Sequence, residues 1–64
     1  MLYTVKEVAE ILRTNTDYVH ALRRNGLLKF IKLGHYKVRA QELERFLEQY
    51  EGYDLTKPNE IREL

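Results

Sequence analysis

The sequence predicts a small α+β domain in which two short helices are followed by a two-stranded β-hairpin and a third packing helix. Three observations predict this order. Apolar residues recur at helical spacing on both sides of a three-residue break, two β-rich runs flank Gly34-His35, and a third helical stripe follows them. A chain of 64 residues has room for one domain, which buries only about 60% of the surface that its unfolded form exposes.

The first helix is predicted from a capping box. Thr4 and Glu7 have the spacing at which the threonine hydroxyl accepts the backbone N–H three residues on, while the carboxylate reaches back to the cap. The helix should therefore begin at Val5. Its apolar stripe, at i, i+3, i+4 and i+7, comprises Val5, Val8, Ala9 and Leu12.

The second helix is predicted to run from about Thr16 to Arg24. Asn15 is suited to cap its N-terminus, and Asn25-Gly26 ends it because glycine adopts the left-handed conformation of a C-terminal cap without a Cβ clash. One arc of this helix is apolar and the rest is polar. The apolar arc holds Tyr18, Val19 and Leu22, while Asp17, His20 and Arg24 point the opposite way and Thr16, Ala21 and Arg23 lie on the flanks.

Two β-rich runs, residues 28–33 and 36–39, predict the hairpin. Gly34-His35 between them fits a two-residue turn with glycine at its first central position. Because successive side chains of a strand point to opposite faces, this turn predicts one apolar and one basic face. Ile31, Leu33, Tyr36 and Val38 should point inward, and Lys32, Lys37 and Arg39 outward, with His35 at the tip.

A third helix is predicted from about Gln41 to Tyr50, and Gly52 can terminate it. Residues 53–64 contain a Lys57-Pro58-Asn59 turn signal and a segment too short to form a stable helix alone. We therefore expect a domain over residues 1–52 and a loose or partner-ordered tail over 53–64. The tail residues that could dock onto another protein are Tyr53, Leu55, Ile61 and Leu64.

The net charge of +1 averages two unlike halves. Residues 1–39 hold eight basic and three acidic side chains, a net charge of +5, whereas residues 40–64 hold three basic and seven acidic side chains, a net charge of −4. This asymmetry favours a polyanion on one face and a protein partner or solvent on the other. An ordinary mixed surface is the alternative.

Two short helices joined by a three-residue turn form a helix-turn-helix, whose second helix reads base edges in the major groove of DNA. With the hairpin as a wing, the predicted fold is a small winged helix-turn-helix. We expect Asp17 to cap the second helix in preference to reading a base, because DNA phosphates repel a carboxylate. The candidate major-groove residues are Thr16, Asp17, His20, Arg23 and Arg24, and the candidate wing or backbone contacts are Lys32, His35, Lys37 and Arg39.

Each basic element also has a purely structural interpretation. Arginines near the end of a helix are favourable to its dipole, and lysines on an edge strand prevent aggregation. The placement of the hairpin directly after a basic second helix favours DNA binding over these alternatives.

The sequence does not predict an enzyme. A domain of this size has little interior for a water-excluding site, and His20 and His35 have no metal-binding spacing. We expect neither a metal nor a cofactor. With no cysteine, no long apolar run and no apolar N-terminal segment, we expect a cytoplasmic, nucleoid-associated protein without membrane contact.

Several segments resemble the excisionase-type winged helix-turn-helix family, which is related to the DNA-binding domains of MerR-type regulators. The resemblance covers roughly residues 2–50. It departs from the family pattern at Ala21, where a polar residue is common, and at Arg23, where an aliphatic core residue is common. The segments are Tyr3-Thr4-Val5-Lys6-Glu7-Val8-Ala9-Glu10-Ile11-Leu12, then Val19 and Leu22, then Gly26-Leu27-Leu28, then Lys32-Leu33-Gly34-His35-Tyr36-Lys37-Val38-Arg39, and Leu43-Glu44-Arg45-Phe46-Leu47.

The resemblance implies a sequence-specific accessory factor that binds and bends double-stranded DNA. Such an excisionase, or recombination directionality factor, promotes excision of a phage or conjugative transposon by an integrase or other recombinase, with adjacent copies of itself on the DNA. Because the domain fills most of this chain, a free-standing factor is expected. The alternatives are a small transcription regulator of the MerR-like type, or a protein-binding adaptor or antirepressor that uses the C-terminal segment.

Overall fold

The computed structural model describes all 64 residues and has the α+β architecture that the sequence predicts. Three helices surround a three-stranded antiparallel sheet with strand order β1-β3-β2, and a two-stranded ribbon follows. The small α+β winged helix-turn-helix is confirmed. In chain order the elements are β1 (Leu2–Thr4), α1 (Val5–Ile11), α2 (Thr16–Arg24), β2 (Ile31–Leu33), β3 (His35–Arg39), α3 (Ala40–Gln49), β4 (Tyr53–Asp54) and β5 (Arg62–Glu63).

Both predicted N-terminal caps are present. The Thr4 hydroxyl accepts the Glu7 N–H at 3.1 Å, and the Glu7 carboxylate accepts the Thr4 N–H at 2.9 Å. The Asn15 side chain accepts the Tyr18 N–H at 2.8 Å and so begins α2. These bonds satisfy backbone donors that have no partner within a helix, and they set the residue at which each helix begins.

Nine buried apolar residues form one core between the helices and the inner face of the sheet. α2 contributes Val19 and Leu22, both fully buried, so its remaining face is turned away from the core. Leu47, predicted on the apolar stripe of α3, remains 41% exposed. The core consists of Val8, Ala9, Val19, Leu22, Leu27, Leu28, Val38, Leu43 and Phe46.

The predicted two-residue turn of the wing, which we define as β2 and β3, is wrong. Leu33 pairs with His35 and Lys32 with Tyr36, so Gly34 alone lies at the centre, with φ +80°. A register change of one residue reverses the face of every side chain on a strand. Ile31 and Leu33 therefore do not point inward with Tyr36, and Lys32 shares the Tyr36 face instead of the face of Lys37.

The N-terminal strand β1 was not predicted. It pairs with β3, placing Tyr3 opposite Val38 and Thr4 opposite Lys37. Residues 2–4 lead directly into the capping box and show no separate strand pattern in the sequence. Their pairing partners on β3 lie more than thirty positions away. This strand ties the base of the wing to the beginning of α1.

The C-terminal segment, expected as a loose or partner-ordered tail, is an ordered ribbon in the structure. β4 and β5 pair with each other, and Leu55 and Ile61 pack against the core. The Tyr18 hydroxyl donates to the Leu55 carbonyl oxygen, which fastens this ribbon to α2. The tail is ordered because it buries apolar side chains that the sequence pattern left without a partner.

Candidate nucleic-acid interface

The exposed surface of α2 is smaller than the sequence predicts. Thr16, Asp17 and Arg24 are exposed, as expected for residues on the polar arc. His20 and Arg23, which were expected to be exposed too, are half-buried. They lie against aromatic side chains of the segment that follows α2, and no helical periodicity could reveal that contact.

These aromatic contacts join α2 to the wing. The His20 ring lies 5.7 Å from the Tyr36 ring and 6.1 Å from the Phe30 ring, measured between centroids. The guanidinium carbon of Arg23 lies 4.5 Å from the Tyr36 centroid and 6.0 Å from that of Phe30. Because aromatic pairs and cation–π contacts are both favourable, this cluster fixes the angle between helix and wing.

A concavity of about 520 Å³ lies between the beginnings of α1 and α2 and the wing. Thr16 and His20 line it from α2, and His35 and Lys37 line it from β3. No acidic side chain is among its eight lining residues, although Glu7, which accepts the Thr4 N–H, lies close enough to Lys37 to interact with it electrostatically. The lining residues are Thr4, Val5, Lys6, Thr16, His20, His35, Tyr36 and Lys37.

Lys6 is an interface candidate that sequence reasoning missed. It lies in the first turn of α1 and lines the same concavity as Lys37. Its position on the polar side of α1 was visible in the sequence, but only the fold brings that turn beside the wing. Lys6 therefore adds a second lysine to the lining of this concavity.

The four predicted wing residues do not lie together. His35 and Lys37 line the concavity described above, whereas Lys32 lies on the Tyr36 face, with its Nζ atom 5.1 Å from that ring centroid. Arg39 lies at the base of the wing, where its guanidinium donates to the Gln41 side chain and borders a separate cleft that also contains Glu42. The one-residue shift in register separates Lys32 from the others.

Asp17 is exposed in the first turn of α2, and the cap of that helix is Asn15. Asn15, and not Asp17, therefore caps α2. A carboxylate in a first turn is still favourable to the helix dipole. Its side chain makes no hydrogen bond within the structure and remains available to an external donor.

Glu42 is the centre of a polar contact in α3. Its carboxylate accepts from Arg45 Nη2 at 2.6 Å and from the Lys29 backbone N–H at 3.0 Å. The hydrogen bond from Arg45 holds the pKa of Glu42 below its usual value of 4.5, against the opposing effect of burial. Arg45 also donates to the Leu27 carbonyl oxygen at 3.0 Å, so this pair is structural.

The four candidate partner-binding residues of the C-terminal segment are not equivalent. Leu55 and Ile61 pack against the core, whereas Tyr53 is 37% and Leu64 is 89% exposed. Tyr53 also packs edge-on against Tyr50, with centroids 5.9 Å apart. The four side chains therefore differ in how far they are exposed to a partner.

No helix in the structure combines the length and the apolar character that crossing a membrane requires. A comparison with protein families matches residues 2–51, which are 50 of the 64 residues, to a family described as a helix-turn-helix domain. Neither the comparison with curated proteins nor that with solved structures gives a match.

Proposed function

The chain belongs to the helix-turn-helix domain family, which contains excisionase-type DNA-binding domains, and we propose that it is an accessory factor for integrase-mediated excision of mobile DNA. DNA binding by the helix-turn-helix is the property of the family. Our proposal goes further and comprises a role in recombination, the bending of DNA and the residues that contact it. It needs no cofactor, metal or catalytic group.

The observation that carries the proposal is the shared concavity of α2 and the wing. Thr16 and His20 from the helix and His35 and Lys37 from the wing border one space without an acidic side chain. A duplex can therefore approach both elements from one side. The exposed face of α2 enters the major groove, and the wing follows the adjacent backbone or minor groove.

Arg24 and Thr16 are the exposed α2 residues best suited to base edges. Arginine donates two parallel hydrogen bonds to guanine, and threonine contacts a thymine methyl group or a phosphate. Asp17 reads cytosine by accepting from its N4 amino group. Lys37 and Lys6 contribute phosphate contacts, which set affinity and orientation but carry no sequence information directly.

The proposed accessory role follows from the size of the interface. A single small module buries about 600–1,000 Å² of protein surface on DNA, which leaves one site weakly occupied. Neighbouring copies or an integrase on the same DNA raise occupancy through effective concentration. Bending the DNA brings such partners together.

Titration of a short duplex at several salt concentrations tests DNA binding. If about five cations neutralise phosphates, the logarithm of the association constant falls with the logarithm of salt at a slope of roughly −4 to −5. Absence of binding at low salt, or a flat salt response, contradicts the proposal.

Gel shifts on duplexes with one and with several selected sites test the accessory role. The proposal expects cooperative occupancy, a bend in the DNA, and stimulated excision when the integrase of the same genetic element is added. Tight, non-cooperative binding of one copy without a bend instead supports a MerR-like transcription regulator. An adaptor function is disfavoured because Leu55 and Ile61 are used within the fold.

A further inference from the structure

Two cations share one tyrosine ring where α2 meets the wing. The guanidinium carbon of Arg23 lies 4.5 Å from the Tyr36 centroid, and the Nζ atom of Lys32 lies 5.1 Å from the same point. The electron-rich face of an aromatic ring attracts such cations. The contacts therefore hold one positive charge from the helix and one from the wing at their junction.

No carboxylate of the chain neutralises this pair. The two ion pairs in the structure join Arg45 to Glu42 and Arg62 to Glu60. The Nε atom of Arg23 is buried without a hydrogen-bond partner, so aromatic contacts alone orient its guanidinium. Both positive charges therefore lack an anionic partner within the chain, and a bound anion would compensate them.

The position of the junction identifies the anion. With α2 in the major groove and the wing at the adjacent minor groove, as the proposed function has them, the sugar-phosphate backbone between the grooves is the anion that their junction would meet. We propose that Arg23 and Lys32, held on Tyr36, bind a phosphate of that backbone. This inference rests on the proposed function and assigns Arg23 to phosphate binding instead of base reading.

Tyr36 has a defined role in this site. Its ring limits the conformations of both long side chains before DNA arrives, so less conformational entropy is lost when they bind a phosphate. A phosphate contact is present in every duplex. Loss of the site should therefore weaken all sequences by similar factors.

The test compares Arg23→Gln and Lys32→Gln with Arg24→Gln, a matched loss of one charge from α2 at a position without an aromatic contact. Binding is measured against salt for a mixed-sequence duplex and for a duplex enriched by selection with the unaltered protein. Each of the first two variants should weaken both duplexes about threefold to tenfold. Each should also reduce the magnitude of the salt slope by about 0.9, with the ratio of the two affinities unchanged.

Arg24→Gln should instead reduce that ratio. Tyr36→Leu, which removes the ring, should match Arg23→Gln. Lys32 is exposed, so Lys32→Gln tests the effect of the lost charge on DNA binding without disturbing the packing of a half-buried side chain. An unchanged salt slope in Lys32→Gln, or selective weakening of the enriched duplex in Arg23→Gln, overturns the phosphate site. Absence of salt-dependent binding by the unaltered protein overturns the proposed function itself.

Discussion

The basic side chains of the two halves of this chain have different surroundings. Arg45 of α3 donates to Glu42, Gln49 and the Leu27 carbonyl, and Arg62 of the C-terminal ribbon pairs with Glu60 at 4.0 Å. Arg24 and Lys37 in the first half form no ion pair. The halves carry net charges of −4 and +5.

This difference separates cations that stabilise the fold from cations available to a ligand. A guanidinium whose donors are already used within the protein has little to offer a phosphate. An unpaired cation keeps its donors free, and its field acts on a polyanion at a distance. Removal of a paired cation in the second half should therefore change stability alone, and removal of an unpaired cation in the first half should change DNA binding alone.

The largest stability effect should come from the C-terminal ribbon. The double change Leu55→Ala and Ile61→Ala removes half-buried side chains from the core and should lower the free energy of unfolding by about 2–3 kcal/mol. Urea denaturation measures this loss. Leu64→Ala, at a residue 89% exposed, is the control and should have no effect. Equal stability of both variants would mean that the ribbon does not support the fold.

The second prediction concerns the replacement of one basic residue in each half by methionine. Arg45→Met leaves the Leu27 carbonyl without its donor and should cost about 1–2 kcal/mol of stability, with the salt slope of DNA binding unchanged. Lys37→Met should leave stability within about 0.5 kcal/mol and weaken all duplexes by similar factors. Thermal unfolding and duplex titration of both variants provide the comparison. The reverse pattern would contradict the division between the halves.

The third prediction concerns the tip of the wing. Gly34 has φ +80°, and a Cβ there would meet no atom within 4 Å, so Gly34→Ala introduces backbone strain and no steric clash. The expected cost is about 1 kcal/mol in unfolding free energy. DNA affinity should fall as well, because the strain displaces His35 and Lys37. A loss of stability with unchanged DNA affinity would show that the tip lies outside the interface.

The smallest effect should appear at acid pH. The pKa of Glu42 is lowered from 4.5, chiefly by the hydrogen bond from Arg45, so the folded state binds the proton less readily than the unfolded state. Its contribution to stability is therefore present above about pH 4.5 and is lost as the pH falls below that value. The Tm of Glu42→Gln should depend less on pH in this range. Identical pH profiles for the two proteins would exclude Glu42 as a source of acid sensitivity.

The local features of the fold could be predicted from the sequence because their causes are local. The Thr4-Glu7 capping box, the Asn15 cap and the bounds of α2 all depend on residues within a few positions of each other. β1 and the packing of Leu55 depend on partners distant in the chain, which no periodicity reports. The register of the wing was predicted wrongly for a different reason. The Gly34-His35 sequence is as compatible with a two-residue turn as with the observed turn, in which Gly34 alone lies at the centre.

The candidate site was predictable in composition but not in arrangement. The charge distribution predicts a DNA-binding surface in the first half, and the helical spacing correctly predicts that Arg24 is exposed. Arg23 could not be assigned from the sequence because its surroundings are set by Phe30 and Tyr36. Those aromatic residues reach it only after the chain reverses at the end of α2.

The central claim is that duplex DNA occupies the space between α2 and the wing. Backbone amide chemical shifts recorded during titration with a short duplex test this most directly. The largest changes should map to Thr16, Arg24, His35 and Lys37, with little change at Glu44 and Glu48 of α3. Changes concentrated on α3 or the C-terminal ribbon, with α2 and the wing unaffected, would contradict the account.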